Sequence, residues 1–138
     1  MSEIEICLLP PLCQPLLDKF YRAHRSPMRS SGAAQMWVAR QQEIIGALSL
    51  TPVAEGHWLT GLFVAPQWRG QAIARRLIVN ALEELHGPVW LFCHPDLVGF
   101  YEQSGFASET NLPPMLADKL ARYQRTKDLV AMRWERQT

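Results

Sequence analysis

The chain has 138 residues, of which 48% are hydrophobic and 20% charged, and its formal net charge is +1 at pH 7. This length predicts a single domain over residues 1–138 with room for a substantial core. A charge this close to zero gives no reason to expect nucleic acid or a membrane surface as a partner. The sequence lacks a long apolar run and a signal-peptide pattern, which predicts a cytoplasmic protein with free thiols at Cys7, Cys13 and Cys93.

The first part of the chain predicts a strand, a helix and a hairpin. Residues 3–8 alternate polar and apolar side chains, as a half-buried strand does. Apolar residues then follow helical spacing at Leu12, Leu16, Leu17, Phe20 and Tyr21. Residues 25–32 have the composition of a loop. Strands are predicted at 36–40 and 44–50, joined by a short turn, and residues 51–56 are expected to form another turn.

A second strand and a long helix are predicted next. Residues 57–64 form the strand, and Gly61 within it predicts a bulge or the close approach of another backbone. The helix is indicated by apolar residues every four positions, at Ile73, Leu77, Ala81 and Leu85. It is expected to end at residues 86–88, where a glycine and a proline follow one another.

The last part of the chain completes a mixed α/β pattern. Residues 89–92 are an uninterrupted apolar run, typical of a central strand covered on both faces. The remaining predicted elements are a short helix over 97–104 stopped by Gly105, a strand from Phe106, a loop at 111–114, a short helix over 115–123 and a last strand over 129–134. Strands and helices in this order predict a mixed sheet with helices packed against it.

The connection between the strand 57–64 and the long helix has a chemical use. The first backbone N–H groups of a helix have no partner within it and lie at the positive end of its dipole. With Gly70 in the approach, these groups can cradle phosphate oxygens, and Arg69 and Arg75 can add positive charge. The lysine-containing P-loop motif and the dinucleotide-binding glycine motif are both missing, which disfavours a nucleotide-phosphate binder.

This connection resembles a motif of the GNAT superfamily of N-acetyltransferases. Gln67-Trp68-Arg69-Gly70-Gln71-Ala72 is similar to the Q/R-x-x-G-x-G/A signature, with alanine where glycine is commoner, and Val64-Ala65-Pro66 is similar to the V-x-P before it. The resemblance implies that amides of the turn bind the pyrophosphate of acetyl-CoA, the expected cosubstrate. It assigns cofactor contacts to Phe63, Val64, Gln67, Arg69, Gly70, Gln71, Ala72, Ile73, Ala74 and Arg75.

A second motif, Gly99-Phe100-Tyr101-Glu102-Gln103-Ser104-Gly105-Phe106, resembles the F-Y-E-x-x-G-F motif of the same superfamily. There the tyrosine serves as general acid for the leaving thiolate, a role that the resemblance gives to Tyr101. Helical spacing also allows Tyr101 to be a packed residue with a satisfied hydroxyl. Relatives often carry an asparagine before this helix, and residues 94–96 stand there instead.

The sequence does not identify the general base or the acceptor. In the resembled superfamily the base is often a glutamate on the strand that corresponds to 57–64; this strand has none, so the candidates are Glu55, His57 or a water relay. The resemblance also implies that the Val64 N–H polarises the thioester carbonyl. A basic stretch suits an acceptor with an acidic group, or it is only a solvated loop; its members are Arg22, His24, Arg25 and Arg29. The adjacent Cys93 and His94 predict neither a metal site nor a nucleophile.

The resemblance implies a GNAT-like fold: a twisted, mostly antiparallel sheet of about six to seven strands with splayed central strands and about four helices. It implies an acetyl-CoA-dependent N-acetyltransferase acting on a primary amine of a small molecule or peptide by direct attack in a ternary complex. No metal, nucleic acid or membrane is expected, and a homodimer is one expected form. The alternative is a non-catalytic module that binds or senses acyl-CoA.

Overall fold

The computed structural model describes residues 3–28 and 35–136. Within these ranges the strands are β1 (Glu5–Leu8), β2 (Gln35–Gln41), β3 (Glu43–Val53), β4 (Gly56–Val64), β5 (Val89–Cys93), β6 (Ala107–Ser108) and β7 (Val130–Trp134). The α-helices are α1 (Gln14–Ala23), α2 (Ile73–Leu82), α3 (Val98–Glu102) and α4 (Pro114–Tyr123). The strands are hydrogen-bonded in the order β1-β2-β3-β4-β5-β7-β6, with β4 and β5 parallel. The predicted mixed, mostly antiparallel sheet with four helices is therefore confirmed.

Contacts between Cα atoms divide the chain into two units, Met1–Thr51 with Leu59–Leu85, and Pro52–Trp58 with His86–Thr138. We call them the first and second units. The assignment of residues 1–138 to a single domain stays a prediction. In the described parts of the chain, no helix is both long and apolar enough to cross a membrane.

The first unit is built on an antiparallel sheet covered by α1. Residues Glu5–Leu8 of β1 pair with Trp37–Arg40 of β2, which pairs in turn with β3. Helix α1 buries Leu17, Phe20 and Tyr21 at helical spacing, against a cluster that includes Val38 of β2. Burying side chains of this size contributes about 1.5–3 kcal/mol each relative to leaving them exposed, so this face fixes the helix on the sheet.

Gly61 gives β4 an irregular backbone at its centre. Its φ of +68° lies in the left-handed region, where a side chain is strained. The Tyr21 hydroxyl donates a hydrogen bond to the Gly61 carbonyl oxygen at 2.7 Å. A Cβ added at Gly61 would lie 2.9 Å from that hydroxyl oxygen. A bulge at Gly61 stays a prediction, and the group that comes close is the Tyr21 side chain rather than another backbone.

Helix α2 packs through the predicted stripe but ends earlier than expected. Ile73, Leu77 and Ala81 are buried on it, as the four-residue spacing predicts. The end predicted at residues 86–88 is wrong, since α2 ends at Leu82 and the Leu85 amide donates to the Leu82 carbonyl in a tighter turn.

Gly87 has another reason to be glycine. Its φ is not positive, so it does not cap a helix. A Cβ at Gly87 would collide with the carbonyl oxygen of Glu55. The glycine that suggested a helix end instead lets the backbone pass close to the turn before β4.

The second unit centres on β5. This strand pairs antiparallel with β7 and parallel with the start of β4, at His57–Val89 and Trp58–Trp90. Val89, Trp90 and Leu91 are buried, as predicted for a central strand. Gly105, with a φ of +95°, follows α3 as the predicted stop.

The turn predicted at 51–56 is wrong in its extent, because β3 continues to Val53. Val53 is buried with Trp90 and Leu116, and this burial holds the strand in an extended conformation beyond Leu50. The reversal is confined to the residues after it, where Ala54 has a φ of +51°.

Candidate functional site

A run of free backbone amides lies between β4 and the first turn of α2, in the first unit. The first amide hydrogen bond of the helix is the one that Arg76 donates to the Ala72 carbonyl oxygen, at 3.0 Å. In the described part of the chain, none of the amides of residues 70–75 donates to a protein acceptor. They lie where the helix dipole is positive, so the segment can bind an anion.

The turn owes this geometry to two left-handed residues. Gly70 has a φ of +84°, and no described atom lies within 4 Å of a Cβ added there. The space beside Gly70 is therefore open within the described structure. Ala72 also has a positive φ, of 61°, which explains why glycine is commoner at this position of the motif.

Arg69 is engaged with the end of β4. Its Nε–H donates to the Val64 carbonyl oxygen at 2.9 Å, and its guanidinium carbon lies 5.2 Å from the centroid of the Phe63 ring. Its amide donates to the Pro66 carbonyl oxygen at 3.3 Å, so Arg69 is not part of the free amide run. Arg69 therefore fixes the turn against β4, and the outer guanidinium nitrogens are left for an anion.

The other predicted cofactor-binding residues surround the same turn. The side chains of Gln67, Gln71 and Arg75 are exposed, Ala74 is half-buried, and Ile73 is buried in the core. Their assignment to the cofactor stays a prediction; of these residues, Gln71, Ile73, Ala74 and Arg75 belong to the run of amides without a described protein acceptor.

Tyr101 of the second unit has a buried ring and an unpaired hydroxyl. The ring contacts Phe100 and Phe106, with centroids 5.0 and 5.9 Å away. Burial, and secondarily the nearby Cys93 thiol, raises the pKa of Tyr101 to about 12. Its hydroxyl forms no hydrogen bond within the described residues and is not among the fully buried polar atoms. Its packing is thus as tight as the core interpretation predicts, yet its hydroxyl is available to a ligand.

The neighbouring groups play supporting parts. Burial raises the pKa of the Cys93 thiol, which opposes the thiolate that a nucleophile needs. The His94 Nδ1 accepts the amide hydrogen of Asp96 at 3.1 Å and so caps the turn before α3. Within residues 3–28 and 35–136, no three His, Cys, Asp or Glu side chains are grouped as metal ligands.

The two candidate bases differ in their surroundings. The Glu55 side chain is exposed in the turn before β4. His57 is half-buried, its amide donates to the Pro88 carbonyl oxygen at 3.0 Å, and its Nδ1 is buried without a partner in the described structure. His57 therefore has a ring nitrogen without a partner in the described structure, and its role as the base stays a prediction.

The basic residues predicted to face the acceptor are only partly grouped. Arg22 and Arg25 are exposed near the end of α1, and Arg29 lies outside the described residues. His24 packs its ring against Phe63, with centroids 5.7 Å apart. The His24 side chain is therefore half-buried, although it follows the last residue of α1.

Sequence reasoning missed the link between Tyr21 and Gly61. Tyr21 is fully buried, and desolvation, followed by the charge of Asp18, raises its pKa well above the ordinary value. The sequence placed Tyr21 on the buried face of α1 and Gly61 in an irregular strand, but no spacing rule joins positions so far apart. The pair fixes the backbone of β4 shortly before the turn that carries the free amides.

Comparison with known proteins matches these features to one family. The acetyltransferase (GNAT) domain family matches residues 13–113, most of the chain. No sequence among the curated proteins matches the chain.

Solved structures share the fold at low sequence identity. N-acetylglutamate synthase from Neisseria gonorrhoeae, complexed with coenzyme A and N-acetyl-glutamate, has a TM-score of 0.72 and 12% identity, over 100% of this chain. The chain spans only 36% of the length of that protein. The GNAT family N-acetyltransferase YhbS from Escherichia coli, in complex with CoA, has a TM-score of 0.70 and 18% identity, over 97% of this chain and 82% of that one. An IAA acetyltransferase from Bacillus cereus has a TM-score of 0.65 and 15% identity, over 97% of this chain and 100% of that one.

The GNAT match covers both the turn with the free amides and the helix that carries Tyr101. The chain therefore belongs to the GNAT acetyltransferase family.

Proposed function

We propose that this chain transfers an acetyl group from acetyl-CoA to a primary amine of a small molecule or peptide. The observation that carries the proposal is the run of amides at residues 70–75 that has no acceptor within the described structure. Hydrogen bonds from such groups to a charged acceptor contribute about 1.5–3 kcal/mol each, so several together can hold a pyrophosphate. Gly70 leaves space beside them for the phosphate oxygens.

The reaction joins two substrates held in one complex. The neutral amine nitrogen attacks the thioester carbonyl carbon, a C–N bond forms, and the C–S bond then breaks. The nitrogen loses one proton and the departing sulfur gains one, so the products are an amide and free CoA. Holding the two substrates in line supplies much of the rate in such a transfer.

Tyr101 is suited to give the sulfur its proton. Because the pKa of Tyr101 is raised to about 12, the phenol stays protonated at neutral pH. Its hydroxyl has no competing partner among the described residues. A positioned general acid contributes typically about 10²–10⁴-fold to the rate.

Release of free thiol from acetyl-CoA, measured against a panel of primary amines, tests the proposal. We expect release with at least one amine, and a fall of about 10²-fold in kcat for Tyr101→Phe. The control is isothermal titration of acetyl-CoA into wild type and Tyr101→Phe, because a proton donor acts in the reaction and not in binding of the acetyl donor. The Kd for acetyl-CoA should be the same in the two proteins.

Two results would contradict the proposal. Tight binding of acetyl-CoA without thiol release to any amine would favour a non-catalytic acyl-CoA-binding module. A loss of acetyl-CoA affinity in Tyr101→Phe that accounts for its whole loss of rate would show that Tyr101 positions the cosubstrate rather than supplying a proton.

A further inference from the structure

Four aromatic side chains form a connected surface in the second unit. They are Trp58 of β4, Trp90 and Phe92 of β5, and Tyr123 at the end of α4, and we call them the aromatic face. The Trp58 and Phe92 ring centroids are 5.5 Å apart, and those of Phe92 and Tyr123 are 6.2 Å apart. Trp90 is buried with Val53 and Leu116, while Trp58 and Phe92 are half-buried and Tyr123 is exposed. The Trp90 ring at the base of the face is therefore buried, and the other three rings are at least partly exposed.

Two polar groups of this face are hydrogen-bond donors that have no acceptor among the described residues. The indole Nε1 atoms of Trp58 and Trp90 are both buried and have no partner in the described structure. Trp90 is only 5% exposed. A buried donor without a partner is unfavourable, and a ligand that brings an acceptor atom to it, as the neighbouring rings move aside, would satisfy it.

Two cations lie over the same rings. The Lys119 Nζ is 5.4 Å from the centroid of the Trp58 ring, and the Lys127 Nζ is 5.8 Å from that of Tyr123. Neither lysine forms an ion pair with a carboxylate among the described residues. Indole N–H groups and ammonium groups without carboxylates make the face complementary to an anion, and its rings suit a flat apolar group.

Strand β5 connects this face to the surroundings of Tyr101. Phe92 belongs to the aromatic face, and the next residue, Cys93, points to the opposite side of the strand. The Cys93 thiol is close enough to Tyr101 to affect its hydroxyl electrostatically. Phe92 of the aromatic face is therefore adjacent in the chain to a residue that lies near the proposed general acid.

We infer that the aromatic face binds the acceptor, and that the acceptor carries an aromatic ring and a carboxylate as well as its amine. Aromatic amino acids and related aryl amino acids are the class with this chemistry. The inference names the substrate class of the proposed acetyl transfer and rests on that function for the fate of the amine. Recognition of the ring and the carboxylate does not depend on it.

Binding is tested first without acetyl-CoA, by following the indole N–H signals in ¹H–¹⁵N spectra. The probe is 3-phenylpropionate, which has the ring and the carboxylate but no amine. The chain has five tryptophans, and Trp58→Phe and Trp90→Phe assign the two signals of interest. We expect these two to shift and saturate with the probe, and to respond at least about 10-fold more weakly to butyrate or to 3-phenylpropanol, since each lacks one recognised group.

A matched pair of lysine variants tests the charge. Lys119→Gln should weaken 3-phenylpropionate binding about 10-fold, the equivalent of one charge-assisted hydrogen bond. Lys19→Gln, the same change on α1 of the first unit, should leave it unaltered. In the thiol-release assay, Lys119→Gln should raise KM for phenylalanine and leave KM for phenylalaninamide unchanged.

The outcomes separate this inference from the proposed function. If the chain binds the probe at the aromatic face but releases no thiol, the binding site is supported and the proposed transferase function is refuted. If the chain acetylates other amines while neither indole signal responds to the probe, the transferase function is supported and the inferred substrate class is refuted. Probe binding that appears only on dilution of a self-associated form would mean that a second copy covers the face, which also overturns the inference.

Discussion

The Tyr21 hydroxyl, which is hydrogen-bonded to Gly61, should contribute more to the free energy of unfolding than the hydroxyl of either other tyrosine. Tyr21→Phe keeps the fully buried ring but removes the donor 2.7 Å from the Gly61 carbonyl oxygen. A part-buried carbonyl left without its donor costs about 1–3 kcal/mol. At about 3 °C per kcal/mol for a domain of this size, Tm should fall by roughly 3–9 °C.

Gly61→Ala perturbs the same contact from the other side. A non-glycine residue at a φ of +68° costs about 1–2 kcal/mol, and the new Cβ would lie 2.9 Å from the Tyr21 hydroxyl oxygen. The double variant removes that hydroxyl, so the close contact disappears and the hydrogen bond is lost only once. The cost of the double variant should therefore fall short of the sum by about 1 kcal/mol or more.

Thermal and urea unfolding of the two single variants and the double variant measure this cycle. The control is Tyr101→Phe, which removes a hydroxyl without a partner in the described structure and should change stability by less than about 0.5 kcal/mol. Additive costs, or equal losses in the two tyrosine variants, would refute the reasoning.

Three further outcomes are expected. Ala72→Gly should relieve the left-handed strain and raise stability by about 0.5–1 kcal/mol in urea unfolding without weakening acetyl-CoA binding, whereas a loss of stability would contradict the observed φ. Because the pKa of Tyr101 is raised to about 12, its phenol should stay protonated as pH rises. Loss of the Tyr101 proton should therefore not reduce the rate of thiol release until the pH exceeds about 10. A falling limb between pH 7 and 9 that Tyr101→Phe abolishes would disprove this assignment. Gly87→Ala, whose Cβ collides with the Glu55 carbonyl, should lower the free energy of unfolding by more than about 2 kcal/mol. Gly99→Ala is the control, because the space around Gly99 is open, and it should be neutral or stabilising. Equal melting temperatures for the two variants would count against the contact.

The elements that the sequence predicted best carry their information locally. The buried stripe of α2 follows from the spacing of Ile73, Leu77 and Ala81, and the central strand β5 follows from an uninterrupted apolar run. The amides between β4 and α2 were predictable for the same reason, since a strand, a glycine turn and a helix start are adjacent in the chain.

The features that were missed depend on partners distant in the sequence. Gly87 looked like a helix stop because the sequence does not show the Glu55 carbonyl beside it. Tyr21 and Tyr101 both follow helical spacing and are both buried, yet one hydroxyl is bonded to Gly61 and the other has no described partner. Periodicity gives the buried face of a helix but not what the end of a side chain meets there, so the site chemistry required the structure.

The central claim is that the amides after Gly70 bind acetyl-CoA, and isothermal titration tests it most directly. Wild type is compared with Gly70→Ala, which bears the strain of a φ of +84° but little bulk, and with Gly70→Trp, which adds a ring to the open space. We expect binding in wild type, modest weakening in Gly70→Ala, and no measurable binding in a folded Gly70→Trp. A folded wild type that binds no acetyl-CoA, or a Gly70→Trp that binds as tightly as wild type, would contradict the account.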